Sequence, residues 1–205
     1  EMKVALGEPL GEKAAANAAS TNFPVLRLKR DILRRSSTGV ITTNRASAGV
    51  GSQVAAGVDA SLRLSDALTM AGYYARVSNP GATGNQSSYA GSFDYGVDRY
   101  GVNLEHVLVG DAFDPAVGFV RRGDFRLTSG QVRISRRTVD SRRIRRLSWQ
   151  GGVEHITDAA ATRLENRSLT SNVDIEFHNG DTSGMDYSHE DEFLPSDFRI
   201  APGVV

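Results

Sequence analysis

Gln53-Val54-Ala55-Ala56-Gly57-Val58-Asp59-Ala60-Ser61-Leu62-Arg63-Leu64 decides the fold. Val54, Ala56, Val58, Ala60, Leu62 and Leu64 fall on one side of an extended chain; Gln53, Ala55, Gly57, Asp59, Ser61 and Arg63 fall on the other. Successive side chains of a strand point to opposite faces, so strict period two predicts a strand with one apolar and one polar face. A strand crossing a bilayer at a tilt needs roughly 9–11 residues, which this stretch supplies. Ser65-Asp66-Ala67 then reads as a tight turn, and residues 68–77 return to complete a hairpin. The returning strand carries Tyr73 and Tyr74, one of which suits a membrane interface.

The pattern repeats outward. Residues 23–32 and 38–45 make an earlier pair. Residues 89–95 run into Asp98-Arg99, and 100–109 return with Tyr100, Val102, Leu104 and Leu108 on one side. Residues 124–138 and 143–156 pair around Val139-Asp140-Ser141. In 163–178 the apolar set is Leu169, Val173, Ile175 and Phe177; Ser168, Thr170, Asn172, Asp174, Glu176 and His178 oppose it. Asn179-Gly180-Asp181 is a strong turn signal, after which 182–193 return. That makes about ten strands. Longer links at 79–88 and 111–119 are expected as loops of one rim. The one helical candidate, the alanine-rich stretch 11–20, lacks large apolar residues and reads as a loop.

The expected fold is therefore all-β: an antiparallel up-and-down meander forming part of an outer-membrane-type β-barrel. The chain reads as a single barrel segment over 1–205, with a loop-rich lead-in at 1–21, strands over 22–193 and a loop at 194–205 running toward further strands. A soluble sandwich would bury bulky residues on its inner face. Here the apolar face is often small (Ala56, Val58, Ala60), while strand centres carry Asp, Glu, Arg, His and Asn on the other. A barrel uses that division, with the apolar face toward lipid and the charged face toward a wet lumen.

Composition agrees. Lys and Arg equal Asp and Glu at 24 each, so no global field draws in nucleic acid. Apart from Lys3, Lys13 and Lys29 the basic residues are arginines, which make forked contacts with carboxylates. There is no cysteine, which excludes disulfides, thiolate nucleophiles and cysteine-held metals. No run of about 18 apolar residues occurs, so no transmembrane helix is expected, though barrel strands would escape that test.

Three segments carry a family likeness. The first is Leu26-Arg27-Leu28-Lys29-Arg30-Asp31-Ile32-Leu33-Arg34-Arg35-Ser36-Ser37-Thr38-Gly39 with Thr42-Thr43-Asn44-Arg45. The second is Asp98-Arg99-Tyr100-Gly101 with Val109-Gly110-Asp111-Ala112-Phe113-Asp114-Pro115-Ala116-Val117-Gly118-Phe119-Val120-Arg121-Arg122-Gly123-Asp124-Phe125-Arg126. The third is Glu192-Phe193-Leu194-Pro195-Ser196-Asp197-Phe198 with Ile200-Ala201-Pro202-Gly203-Val204. In this order they resemble the C-terminal region of the bacterial family catalogued as domain of unknown function 5916. The resemblance implies an outer-membrane barrel that follows a carbohydrate-binding family 9-like β-sandwich, in the bacterial cell envelope. It implies a carbohydrate as one class of solute, and assigns chemistry to no residue.

No catalytic, cofactor-binding or metal-binding set emerges, and no cofactor is expected. Gly7 to Lys13 lacks the Gly-Lys-Ser/Thr of a phosphate loop, and no Gly-x-Ser-x-Gly elbow occurs. His106, His155 and His178 are isolated, and His189-Glu190-Asp191-Glu192 lacks zinc-ligand spacing. The arginines from Arg121 to Arg146 read as lumen and rim residues paired with carboxylates. A sharper variant has them bind an anionic lipid group or a charged solute. Asp111 and Asp114 are expected to fix a loop by pairing with Arg121 or Arg122, Asp–Pro being turn chemistry. Lumen and solute contacts are expected at Asp59, Arg63, Asn172, Asp174, Glu176 and His178.

The expected partners are membrane lipid and a small solute, with no nucleic acid; oligomeric state is not legible. Three rivals make different predictions. A surface glycan hydrolase needs two carboxyl groups about 5–10 Å apart in a cleft. A soluble binding module needs a second sheet over the apolar face of 54–64. A barrel that only tethers another domain needs no solute at all.

Overall fold

A computed structural model of the chain describes residues 21–47, 51–138 and 141–193. The alanine-rich stretch 11–20 and the rest of the lead-in to residue 20, most of the third resemblance segment and tail (194–205), and Val139-Asp140 of one expected turn lie outside the described residues.

The strands are β1 (Thr21–Asn22), β2 (Val25–Ile32), β3 (Ser36–Ser47), β4 (Gly51–Arg63), β5 (Leu68–Ser78), β6 (Ser87–Gly96), β7 (Tyr100–Val109), β8 (Phe125–Arg137), β9 (Ile144–Thr157), β10 (Leu164–Phe177) and β11 (Thr182–Glu192). Among the described residues all belong to one 11-stranded antiparallel sheet, in chain order from β3 to β11. This is the all-β up-and-down meander expected from period two. One strand differs from expectation. The expected strand 23–32 begins only at Val25, and a short strand, Thr21–Asn22, precedes it, the break falling at Pro24, which has no N–H to give to the ladder. β1 and β2 therefore lie end to end along the same edge of β3, with Thr21 opposite Ser47 and Val25 opposite Thr43. The Pro24 carbonyl still accepts from the Asn44 N–H at 3.0 Å, so the line of pairing carries across the break.

Connections alternate between two rims. The turns at 33–35, 64–67, 97–99 and 178–181 gather at one end of the strands with the β8–β9 connection. The longer loops 79–86, 110–124 and 158–163 gather at the other. The turn after β4 closes through the Leu64 N–H to the Leu68 carbonyl (3.0 Å) and the Ala67 N–H to the Ser65 hydroxyl (3.2 Å). The Asn179-Gly180-Asp181 turn has Gly180 at φ 93°, a conformation only glycine adopts without penalty.

Register decides which side chains share a face. One row runs Val40, Val58, Tyr74, Tyr89 and Leu108. A second runs Leu62, Met70, Phe93, Leu104, Gly130, Val153 and Leu169. The opposite face carries Asp59, Asp94, Glu105, Gln131, Gln150, Glu154 and Asn172. Among the described residues nothing packs over the apolar face: Val58 is 51%, Leu104 48% and Val153 56% exposed. The most buried side chains, Val77 and Ser88, lie instead at the ends of β5 and β6 that flank loop 79–86.

Trp149 shows how closely this face is fitted. Its indole lies across Gly151, where an added Cβ would stand 2.5 Å from the ring. From there the indole N–H donates to the Ser171 hydroxyl at 3.0 Å, and Ser171 is the cross-strand partner of Gly151. Gly151→Val is expected to push the indole off this seat and break that bond. Trp149 is the single tryptophan of the chain, so its fluorescence maximum reports the change directly, with circular dichroism holding the strand content constant.

Candidate functional site

The apolar band does not follow the hydrogen-bonded rows. On β4 it spans Val54 to Leu62 and centres on Val58, whose row reaches Leu108 on β7. On β10 it spans Leu169 to Ile175 and centres near Ser171, whose row runs back through Gly151 and Val132 to Val102 on β7. Between β4 and β10 the centre thus moves along the strands by about one residue per strand. With about 3.3 Å per residue and about 4.8 Å between strands, the band runs roughly 35° off the hydrogen-bond direction. Aromatic residues mark the border toward the short-turn rim, where Tyr95, Tyr100 and Trp149 lie; Tyr74 stands in the row of Val58 and Tyr187 in the row of Ser171, at the middle of the band.

On the polar face, charged side chains lie over glycines. Arg27 of β2 reaches across β3 to Asp59 of β4, with its second bond at 2.9 Å. It can do so because Gly39 lies between them: a Cβ there would stand 2.7 Å from Arg27 Nη2 and 2.9 Å from Asp59 Oδ2. Arg133 lies on Gly101 and donates to the Val97 carbonyl at 2.9 Å, bracing the β6–β7 turn. The Asp174 carboxylate lies over Gly184, its cross-strand partner.

The six expected lumen residues share this face but form two groups with five strands between them. On β4, Asp59 holds Arg27, and Arg63 lies 3.7 Å from Asp66. On β10, Asn172 donates to Asp186 and Glu176 pairs with Arg145 (2.7 Å) and Arg146 (3.1 Å). His178, just past β10, reaches the Ser141 carbonyl at 3.1 Å. Among the described residues no group of three or more His, Asp or Glu is placed to hold a metal.

At the long-loop rim, 110–124 folds across the polar face from β7 to β4. Gln53 anchors it in a two-way clamp, with its amide N–H donating to the Asp114 carbonyl (2.8 Å) and its amide oxygen accepting from the Ala116 N–H (2.6 Å). Gln53 is 7% exposed, so both bonds are shielded. Loop 79–86 locks onto the same segment. Asp111 accepts the Asn85 N–H at 2.8 Å, and the Ala112 N–H donates to the Asn85 carbonyl at 3.1 Å. Gly84, at φ 115°, makes room for the Asp111 carboxylate. The far end is tied to the β9–β10 loop: Arg122 pairs with Glu165, and Asp124 accepts the Ala159 N–H at 3.2 Å.

The loop is thus fixed by partners other than the expected ones. Asp111 and Asp114 engage backbone groups through a carboxylate and a carbonyl respectively. Arg122 is held over the Phe125 ring at 5.3 Å, which carries it toward Glu165, while Arg121 is exposed. Gln53 was legible only as one polar-face residue of a strand, because its partners lie 61 and 63 residues away in sequence. No protein-family model, curated protein or solved structure matches the chain.

Two outcomes follow from this geometry. Gln53→Ala leaves a shielded N–H and a shielded carbonyl without partners, a cost of about 1–3 kcal/mol each. It is expected to release 110–124, read as faster amide exchange at Ala116 and faster proteolysis within the loop, with the strands still protected. The second concerns Asp158 in the β9–β10 loop. The Thr162 hydroxyl, then the Arg163 N–H (2.9 Å) and the Thr162 N–H (2.7 Å), hold its carboxyl below the usual aspartate range. A lowered folded pKa stabilises above the ordinary aspartate value and is lost as pH falls through the lowered one. Amide protection at Thr162 and Arg163 is therefore expected to persist down to the ordinary aspartate range and to disappear only in stronger acid. Asp158→Ala is expected to abolish it at every pH.

Proposed function

We propose that this chain forms wall of an outer-membrane β-barrel, with its apolar face against lipid and its polar face lining a water-filled interior that admits a polar solute. The oblique apolar band carries the reading. Barrel strands in membranes tilt by about 35–45° from the membrane normal. A band lying flat in a membrane would have to cross the register rows by that angle, and this one crosses at roughly 35°. Val54 to Leu62 then covers about 22 Å of membrane normal, against about 25 Å for an outer-membrane apolar belt. Tyr95, Tyr100 and Trp149 at the border near the short turns suit one interface. Short turns at one rim and longer loops at the other suit the periplasmic and outer sides respectively.

The three-segment resemblance points the same way, and a carbohydrate is the solute class it suggests. Selection would be passive. Paired arginines and carboxylates line the way, and 110–124 narrows it where Gln53 pins the loop across the polar face. The soluble-module alternative calls for a second sheet on the face of Val54–Leu62, and among the described residues none packs there.

Single-cysteine variants of this chain, which has no cysteine of its own, test this. Lipid-phase probes are expected to label Val58→Cys and Ala60→Cys, and aqueous probes Asp59→Cys and Ser61→Cys. Brominated lipid is expected to quench Trp149. Protection of positions 58 and 60 from both probe types would place them in a protein core and replace the barrel with the soluble module.

A further inference from the structure

Zero net charge conceals a local excess at the short-turn rim. Arg137 of β8 and Arg146 of β9 are directly opposite in register, and Arg146 is directly opposite Glu176 of β10. Like charges in directly opposite positions destabilise a sheet. Glu176 is shared between Arg145 (2.7 Å) and Arg146 (3.1 Å), while Arg137 pairs with Asp98 of the next turn at 2.9 Å. The three arginines and Glu176 line a cleft of about 100 Å³ on the polar face, well above the roughly 10–15 Å³ that one water needs. Three guanidinium groups and one carboxylate line that cleft, and Arg137 has its own partner, Asp98, outside it. Elsewhere on this face Arg27 and Asp59 balance one to one.

We infer that the cleft binds the phosphate group of a soluble solute. Guanidinium forks match pairs of phosphate oxygens and hold them with charge-assisted hydrogen bonds. The ligand takes up the repulsion between Arg137 and Arg146, and Glu176 acts as a resident counter-ion that competes with it. The position of Arg137, Arg146 and Glu176 on the polar face selects a soluble phosphate over a lipid headgroup, which would approach from the apolar side. This deepens the barrel reading and rests on it, because it takes the polar face to be wet.

Titration calorimetry with inorganic pyrophosphate tests the site in the full-length protein, refolded in zwitterionic micelles. Saturable binding is expected. Arg146→Gln is expected to weaken it about tenfold or more, the size of one charged hydrogen bond. Glu176→Gln keeps the side-chain shape but removes the competitor, and is expected to tighten binding several-fold. An ion pair with a purely structural role would not give opposite signs. Arg76→Gln, near the other rim, is expected to change nothing, and circular dichroism checks that every variant is folded. Absence of saturable binding, or equal affinity in the Arg146 and Glu176 variants, would overturn the site. Displacement of pyrophosphate by phosphatidylglycerol would overturn the soluble ligand in favour of a headgroup. The labelling at positions 58 and 60 separates the two readings. Lipid-labelled positions without pyrophosphate binding sink only the phosphate site; protected positions with intact binding sink only the barrel.

Discussion

An antiparallel register that runs from β2 to β11, shifted at the two ends of the β9–β10 pairing, determines which face each strand's side chains take. Strand side chains alternate, so a slip of one residue would exchange the two faces completely. Asp59 would then join Val58's row of apolar residues, and Val58 would meet Arg27. Several features resist such a slip together. Period-two alternation recurs on strand after strand. Turns such as Ser65-Asp66-Ala67 close tightly. Gly39 on the polar face also admits the Arg27–Asp59 pair only where it stands. Gly39 has to lie between Arg27 and Asp59, because Thr38 or Val40 in that place would bring a side chain into the pair.

The register also separates two kinds of surface. Apolar and aromatic side chains form an exposed oblique belt, and acidic, basic and amide side chains form the reverse side. The ends of that reverse side differ. At the long-loop rim, Gln53, Asp111 and Arg122 hold 110–124 across it. At the short-turn rim it ends in a cluster of arginines with few carboxylates. One end of this face is thus covered by a fixed loop, and the other gathers Arg137, Arg145 and Arg146 around Glu176.

Much of the fold was legible because alternation is local. Residues 53–64, 68–77, 100–109 and 182–193 match β4, β5, β7 and β11 to within one or two residues. Pro24 was visible, yet the split it causes depends on β3 pairing on both sides of it, which no local pattern reveals. The site was legible only by face. Asn172, Asp174 and Glu176 could be placed on one side of a strand, but their partners could not. That Arg27 reaches Asp59 over a glycine, and that Arg145 and Arg146 share Glu176, depends on how strands far apart in sequence align. The Gln53 clamp was hidden for the same reason, and Arg122 found Glu165 rather than Asp111 or Asp114 because the β9–β10 loop lies beside it.

Strand order that follows chain order has a kinetic and mechanical consequence. From β4 onward each strand shares its ladder hydrogen bonds only with the strands before and after it in the chain. Pairings therefore close short loops, at low entropic cost, and can form hairpin by hairpin. A two-stranded hairpin alone is marginal in water, so growth favours the addition of each strand to an existing edge. The sheet then behaves as a one-dimensional chain of neighbour terms, as repeat proteins do. Loss of a hairpin from one end would shorten it without rethreading any other strand. The remaining residues would keep their faces.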